Sequence, residues 1–91
     1  MWEDCEDEYV SYLESERKAY AWVLVKYGNY SESESVRLAN DFYQYEPSGT
    51  PCRGLVFHDE AWHWAMKVIY GEQYWIDNPD LESPSNEYEA L

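Results

Sequence analysis

Residues 57–71 read FHDEAWHWAMKVIYG, and the fold follows from how that stretch is read. Trp62, Ala65, Met66 and Ile69 recur at helical spacing, with Ala61, Trp64 and Val68 widening the apolar face. Only Glu60, His63 and Lys67 form a polar stripe, at i, i+3 and i+7. Asp59 is placed to cap the first turn, and Gly71 stands where a glycine ends a helix. A helix so broadly apolar needs neighbours on two sides, so it is expected at the centre of a bundle.

Two further helices are expected upstream. Tyr9, Leu13, Tyr20, Leu24 and Tyr27 fall on one stripe of a helix over about residues 4–27, which Gly28-Asn29 would stop. Residues 19–25, AYAWVLV, are apolar all round and would also suit a buried strand; the helix is favoured. Ser31-Glu32-Ser33-Glu34 fits the capping box, with Ser31 as N-cap and Glu34 three places on. It opens a helix whose expected face is Leu38, Phe42 and Tyr45, with Val36, Ala39 and Tyr43 beside them. Glu46-Pro47 should end it, because the residue before proline avoids the helical region. PSGTP at 47–51 is then a turn, and a short helical turn can start at Thr50-Pro51. Downstream, Tyr74-Trp75-Ile76 should pack down, Asn78-Pro79-Asp80 should turn, and Ser83 to Glu87 should start a last short helix or fray. There is no internal repeat. The expectation is an all-α domain spanning residues 1–91, with three main helices and a short C-terminal extension over 83–91.

Apolar residues make up 45% of the 91 and aromatics 19%, which is too much for disorder despite a formal net charge of −13. The charge is unevenly placed. Residues 1–16 hold Glu3, Asp4, Glu6, Asp7, Glu8, Glu14 and Glu16 and no base, for a net −7. Residues 17–71 are neutral, and residues 72–91 hold Glu72, Asp77, Asp80, Glu82, Glu87 and Glu89, for a net −6. Without a basic patch to release counterions, direct binding to nucleic acid or an anionic membrane is disfavoured, and a basic protein is the natural partner. Met1 is followed at once by acids, so no secretory leader is expected, and no apolar run approaches the roughly 20 residues that cross a bilayer. A cytoplasmic protein with Cys5 and Cys52 reduced is expected, a Cys5–Cys52 disulfide being the minor alternative.

Chemistry finds little support. His58 and His63 lie five apart, with glutamate one place late for the zinc-protease pattern, and Glu60-x-x-His63 lacks the second such unit that a di-iron bundle needs. A small metal protein built on His58, Glu60 and His63 stays as an alternative. Cys5 sits among acids that disfavour its thiolate, and no histidine is placed to serve Cys52. The four glycines are scattered, so no loop cradles phosphate. No enzyme activity and no cofactor are expected.

The acidic ends invite one functional expectation and one plain alternative. If Glu3, Asp4, Glu6, Asp7, Glu8, Glu14 and Glu16 form one anionic row and Asp77, Asp80, Glu82, Glu87 and Glu89 a second, the domain would imitate the charge of a duplex. Trp2, Tyr9, Tyr12, Tyr74 and Tyr88 would supply aromatic anchors among those acids. The partner would be a basic nucleic-acid-binding protein such as a nuclease, restriction enzyme or CRISPR effector. In size and charge balance the chain resembles the small acidic inhibitors that phages and mobile elements make against such proteins, a resemblance of composition that covers no motif. The alternative is that the acids only keep an aromatic-rich helical interaction domain soluble. Oligomeric state is left open, a homodimer included.

Overall fold

The computed structural model describes residues 6–47, 49–51 and 53–91, with His58 described by its backbone alone. Cys5 and Cys52, and hence their pairing, lie outside the described residues. The architecture is all-α: α1 (Glu6–Gly28), α2 (Glu32–Phe42), α3 (Ala61–Tyr70), α4 (Tyr74–Asp77) and α5 (Asn86–Glu89), with 3-10 turns at Leu55–His58 and Pro79–Leu81. No helix is long and apolar enough to cross a membrane among the described residues.

α1 runs unbroken through the apolar 19–25 segment. It buries Tyr9, Leu13, Tyr20, Val23 and Leu24 on one stripe, and its acidic first turn suits the positive end of the helix dipole. The stop differs in detail from expectation. Asn29, not Gly28, takes the left-handed conformation (φ 61°), and the Tyr30 N–H returns to the Leu24 carbonyl at 3.3 Å. Gly28 is the last helical residue, and its role is space: a Cβ there would lie 2.7 Å from the Tyr30 ring and 3.0 Å from Ile69.

Ser31 caps α2 as read from the sequence, its Oγ accepting from the Glu34 N–H at 3.2 Å. The Glu34 carboxylate goes to Arg37 instead. Replacing Ser31 by alanine should therefore cost about 1 kcal/mol, visible as a lower urea midpoint with an unchanged slope. α2 ends at Phe42, several residues before Glu46-Pro47. Its cap residue Tyr43 is held by Arg17, whose Nε and Nη2 donate to the Tyr43 carbonyl at 2.8 and 2.6 Å. The buried face is Ser35, Ala39 and Tyr43, rotated from the expected line. Phe42 and Tyr45 are partly exposed, and Phe42 stacks on Tyr20 at 5.1 Å.

In α3 the N-cap is Glu60, one place later than expected; Asp59 instead accepts from the Glu60 N–H at 2.9 Å. Trp62, Ala65 and Met66 are buried as read, together with Ala61, and the two alanines let α3 approach α1 closely. Gly71 (φ 107°) ends the helix and donates to the Lys67 carbonyl at 2.9 Å.

The central helix is α1, which packs against both α2 and α3, and these two meet at Phe42 and Trp64 (5.5 Å). α3 spends its wide apolar face on irregular chain. The Trp64 indole donates to the Val56 carbonyl at 3.1 Å and the Trp62 indole to the Leu81 carbonyl at 2.8 Å. The C-terminal stretch folds back through the same tryptophan. Ser85 caps α5, and Tyr88 sits between Trp22 (6.4 Å) and Trp62 (5.4 Å), with its oxygen accepting from the Trp62 N–H at 3.2 Å.

Candidate functional site

The site begins with where the six bases go. Arg17 is spent on the Tyr43 carbonyl, Lys26 pairs with Glu87 at 3.3 Å, and Arg37 pairs with Glu34 and Asp41. Lys67 lies over the Trp64 ring at 4.7 Å. Arg53 is the most enclosed. Its side chain is 2% exposed, its guanidinium stacks 3.9 Å from the Tyr9 ring centroid, and its Nη2 donates to Glu6 at 2.5 Å. Lys18 is exposed and makes no ion pair among the described residues.

These commitments decide which acids remain free to meet another molecule. Glu6 is occupied: Arg53 and the Tyr45 hydroxyl (2.5 Å) both donate to it, and they hold its carboxyl below the usual range, Tyr45 contributing most. It fastens the start of α1 to the loop carrying Tyr45 and Arg53, helped by the Glu46 N–H donating to the Tyr9 hydroxyl at 2.9 Å. Asp7 and Glu14, seven apart, are exposed on one side of α1, and Glu8 is exposed on another. Residues 8, 15, 19, 22 and 26 share a face. α5 lies on that face through Tyr88 against Trp22 and Glu87 against Lys26, so Glu8 and the α5 acids Glu87 and Glu89 share one side of α1. Asp77, Asp80 and Glu82 are exposed on the segment that the Trp62 indole ties to α3. Glu3 and Asp4 lie outside the described residues.

Glu16 belongs to no outer row. It sits in the stripe of Tyr9, Leu13 and Tyr20, is half-buried, and points at the start of α3. Burial raises its carboxyl above the usual range; the Ala61 N–H opposes that rise and the Glu60 charge adds to it. Around it stand three tyrosines. Tyr12 and Tyr88 are both raised by burial and then by Glu16 and Glu60, Tyr88 to about 12 with the Trp62 N–H opposing. Tyr43 is raised by burial first and then by Glu16, and among the described residues its hydroxyl has no hydrogen-bond partner. Close by, Tyr74 is raised to about 12 by burial, then by Asp59, Glu82 and Glu60.

Acids from three parts of the chain thus converge on the first turn of α3. Two of them, Asp59 and Glu60, come from the neutral middle and were not singled out by charge partition. The signal that could have found the group is Glu16 itself, a carboxylate at a core-facing position of an otherwise apolar stripe. Chemically the arrangement offers anionic and phenolic acceptors, which suits a cation. His63 shares a hydrogen bond through Nδ1 with the Tyr74 hydroxyl, while its Nε2 lies 3.9 Å from Glu60. Among the described residues no group of three His, Cys, Asp or Glu side chains gathers as a metal requires, and the His58 side chain lies outside them.

A groove of about 760 Å3 separates the exposed parts of α1 and α2, floored by Trp22, Val25, Val36 and Leu91 and edged by Glu14, Lys18 and Glu32. No family model, curated protein or solved structure matches this chain.

Proposed function

We propose that the protein is an acidic inhibitor or interaction protein, one that occupies the nucleic-acid-binding surface of a basic partner by presenting charge in place of phosphate. The observation that carries this reading is the asymmetry in how charge is used. Five of the six bases are engaged in contacts within the chain, whereas Asp7, Glu8, Glu14, Asp77, Asp80, Glu82 and Glu89 are exposed and make no ion pair among the described residues. The long dimension is 40 Å, and a duplex of that length carries roughly two dozen phosphates. A net charge of −13 is about half that linear density. Long-range attraction of this kind raises association rates and favours partners shaped to grip phosphate. A nuclease, a restriction enzyme or a CRISPR effector is such a partner, and phages and mobile elements make acidic inhibitors of this size against them. Exposed Tyr12 and Trp75 add apolar contact that charge alone lacks.

The test is capture of purified nucleases and DNA-binding effectors by the immobilised protein. Capture should fall steeply between about 0.05 and 0.3 M salt and be displaced by duplex DNA. Replacing Glu8, Asp80 and Glu89 together by lysine should weaken it on the order of a hundredfold. Binding that ignores salt, resists competing duplex or survives the triple reversal refutes the reading. Aggregation as the sole change in the reversed protein would instead assign the acids to solubility.

A further inference from the structure

We infer that Glu16 and Glu60, with Tyr12, Tyr43 and Tyr88 around them, form a seat for one arginine side chain of the basic partner. The inference rests on the reading above and narrows it to a position and a chemical group.

Helix spacing and ring contacts fix the geometry. Glu16 lies one turn from Tyr12 and one turn from Tyr20 on the same side of α1. Tyr43 packs edge-on against Tyr20 at 5.6 Å and stacks on Phe57 at 6.1 Å, and Phe57 in turn meets Tyr12 at 4.7 Å. Tyr43 therefore crosses the bundle at the turn that carries Glu16. Its ring is 1% exposed, and its hydroxyl, within electrostatic reach of Glu16, Tyr12 and Tyr88, is left without a partner among the described residues. A buried hydroxyl so placed is unusual, because leaving one unsatisfied costs free energy that apolar replacement would avoid. It leaves an unused acceptor lone pair on the Glu16 side of the bundle.

Glu16 on α1 meets the Ala61 N–H, next to Glu60 at the N-cap of α3, and neither carboxylate pairs with an arginine or lysine among the described residues. Among the described residues the basic group that Glu60 approaches is His63, whose Nε2 lies 3.9 Å from it. The Glu60 charge adds to the cost of ionising half-buried Glu16, and a cation beside them removes that cost. Arginine fits better than lysine. Its planar fork can give donors to Glu16, to Glu60 and to a phenolic oxygen together, it can lie on the exposed ring of Tyr12, and it sheds water more readily than an ammonium. Proteins that grip phosphate carry such arginines on their binding surface.

The probe is acetyl-Gly-Arg-Gly-amide, with its lysine counterpart as control, titrated at constant ionic strength while backbone amide shifts are followed. The arginine peptide should move the Ala61 and Trp62 amides most and bind roughly tenfold more tightly than the lysine peptide. E16Q and E60Q should each abolish that preference; Glu60 is exposed, so E60Q keeps the test valid should E16Q perturb packing. Equal response to the two peptides, shifts spread evenly over the surface acids, or a preference that survives both variants overturns the inference. Capture of the basic partner separates this from the parent reading. Salt-sensitive capture that E60Q leaves unchanged removes the arginine seat and keeps the acidic inhibitor, whereas absence of capture removes both.

Discussion

Replacing Trp62 by alanine should remove about 3–5 kcal/mol of stability, the cost of emptying a large aromatic site in a packed core. Domains of this size hold about 5–15 kcal/mol in total, so the variant should be close to unfolding at physiological temperature. More than buried area is lost. Trp62 is 1% exposed, its ring meets Tyr27 at 5.2 Å and Tyr88 at 5.4 Å, and its indole N–H reaches the Leu81 carbonyl at 2.8 Å. One side chain therefore joins α1, α3, the 3-10 turn at Pro79–Leu81 and α5. Alanine would leave a cavity and an unpaired carbonyl together. Chemical unfolding followed by circular dichroism measures the loss, and hydrogen exchange at residues 86–91 should quicken by more than the global change requires. Trp62→Phe, which keeps most of the ring but not the N–H, should lose roughly 1–2 kcal/mol. A loss under about 1 kcal/mol for the alanine variant would show that the C-terminal segment is held by other means.

Helix positions were readable from the sequence because periodicity and punctuation agreed. The Tyr9–Leu13–Tyr20–Leu24 stripe, the Ser31 cap and the Gly71 stop each reflect local chemistry that acts within a few residues. What sequence could not supply was contact between distant parts. α2 ends at Phe42 because Arg17, 26 residues away, claims the Tyr43 carbonyl, and no local signal announces that. The centre of the bundle was misjudged for a related reason. A broad apolar face on α3 predicts helices on both sides, whereas beyond Tyr27 of α1 and Phe42 of α2 the face of Trp62 and Trp64 is completed by loop carbonyls and by α5. The charge partition located acids along the chain but not around it. Glu6 and Glu16 look alike in composition, yet one is fastened to an enclosed arginine and the other is turned toward the core. Of the acids at the front of the chain, the described residues leave Asp7 and Glu14 exposed on one side of α1 and Glu8 on another.

The turn of α1 that carries Glu16 should become more stable when either of its misfitting polar groups is removed. Tyr43→Phe should gain about 1–3 kcal/mol, because it deletes a buried hydroxyl without a partner and leaves the stacked ring in place. Glu16→Gln should also gain, by an amount that depends on pH. The groups facing Glu16 are Tyr12 and Tyr20 from α1, Tyr43 from the end of α2, Glu60 and the Ala61 N–H from α3, and Tyr88 from α5, so the charged form meets burial and a like charge against one N–H. Its carboxyl titrates above the ordinary 4.5, which means the folded state holds this proton more tightly than the unfolded state does. The resulting stability is fully present below 4.5 and is lost as pH rises through the folded titration. The difference between Glu16→Gln and the parent protein should therefore be small at the acidic end and widen toward neutrality, whereas Glu6, held low by Tyr45 and Arg53, contributes with the opposite sign to both proteins and cancels. Urea unfolding at a series of pH values gives the difference curve directly. A gap that closes toward neutrality would mean that Glu16 is stabilised as an anion by the start of α3. A widening gap would identify a charge that folding tolerates at a cost, the pattern expected of a residue placed for binding and not for stability.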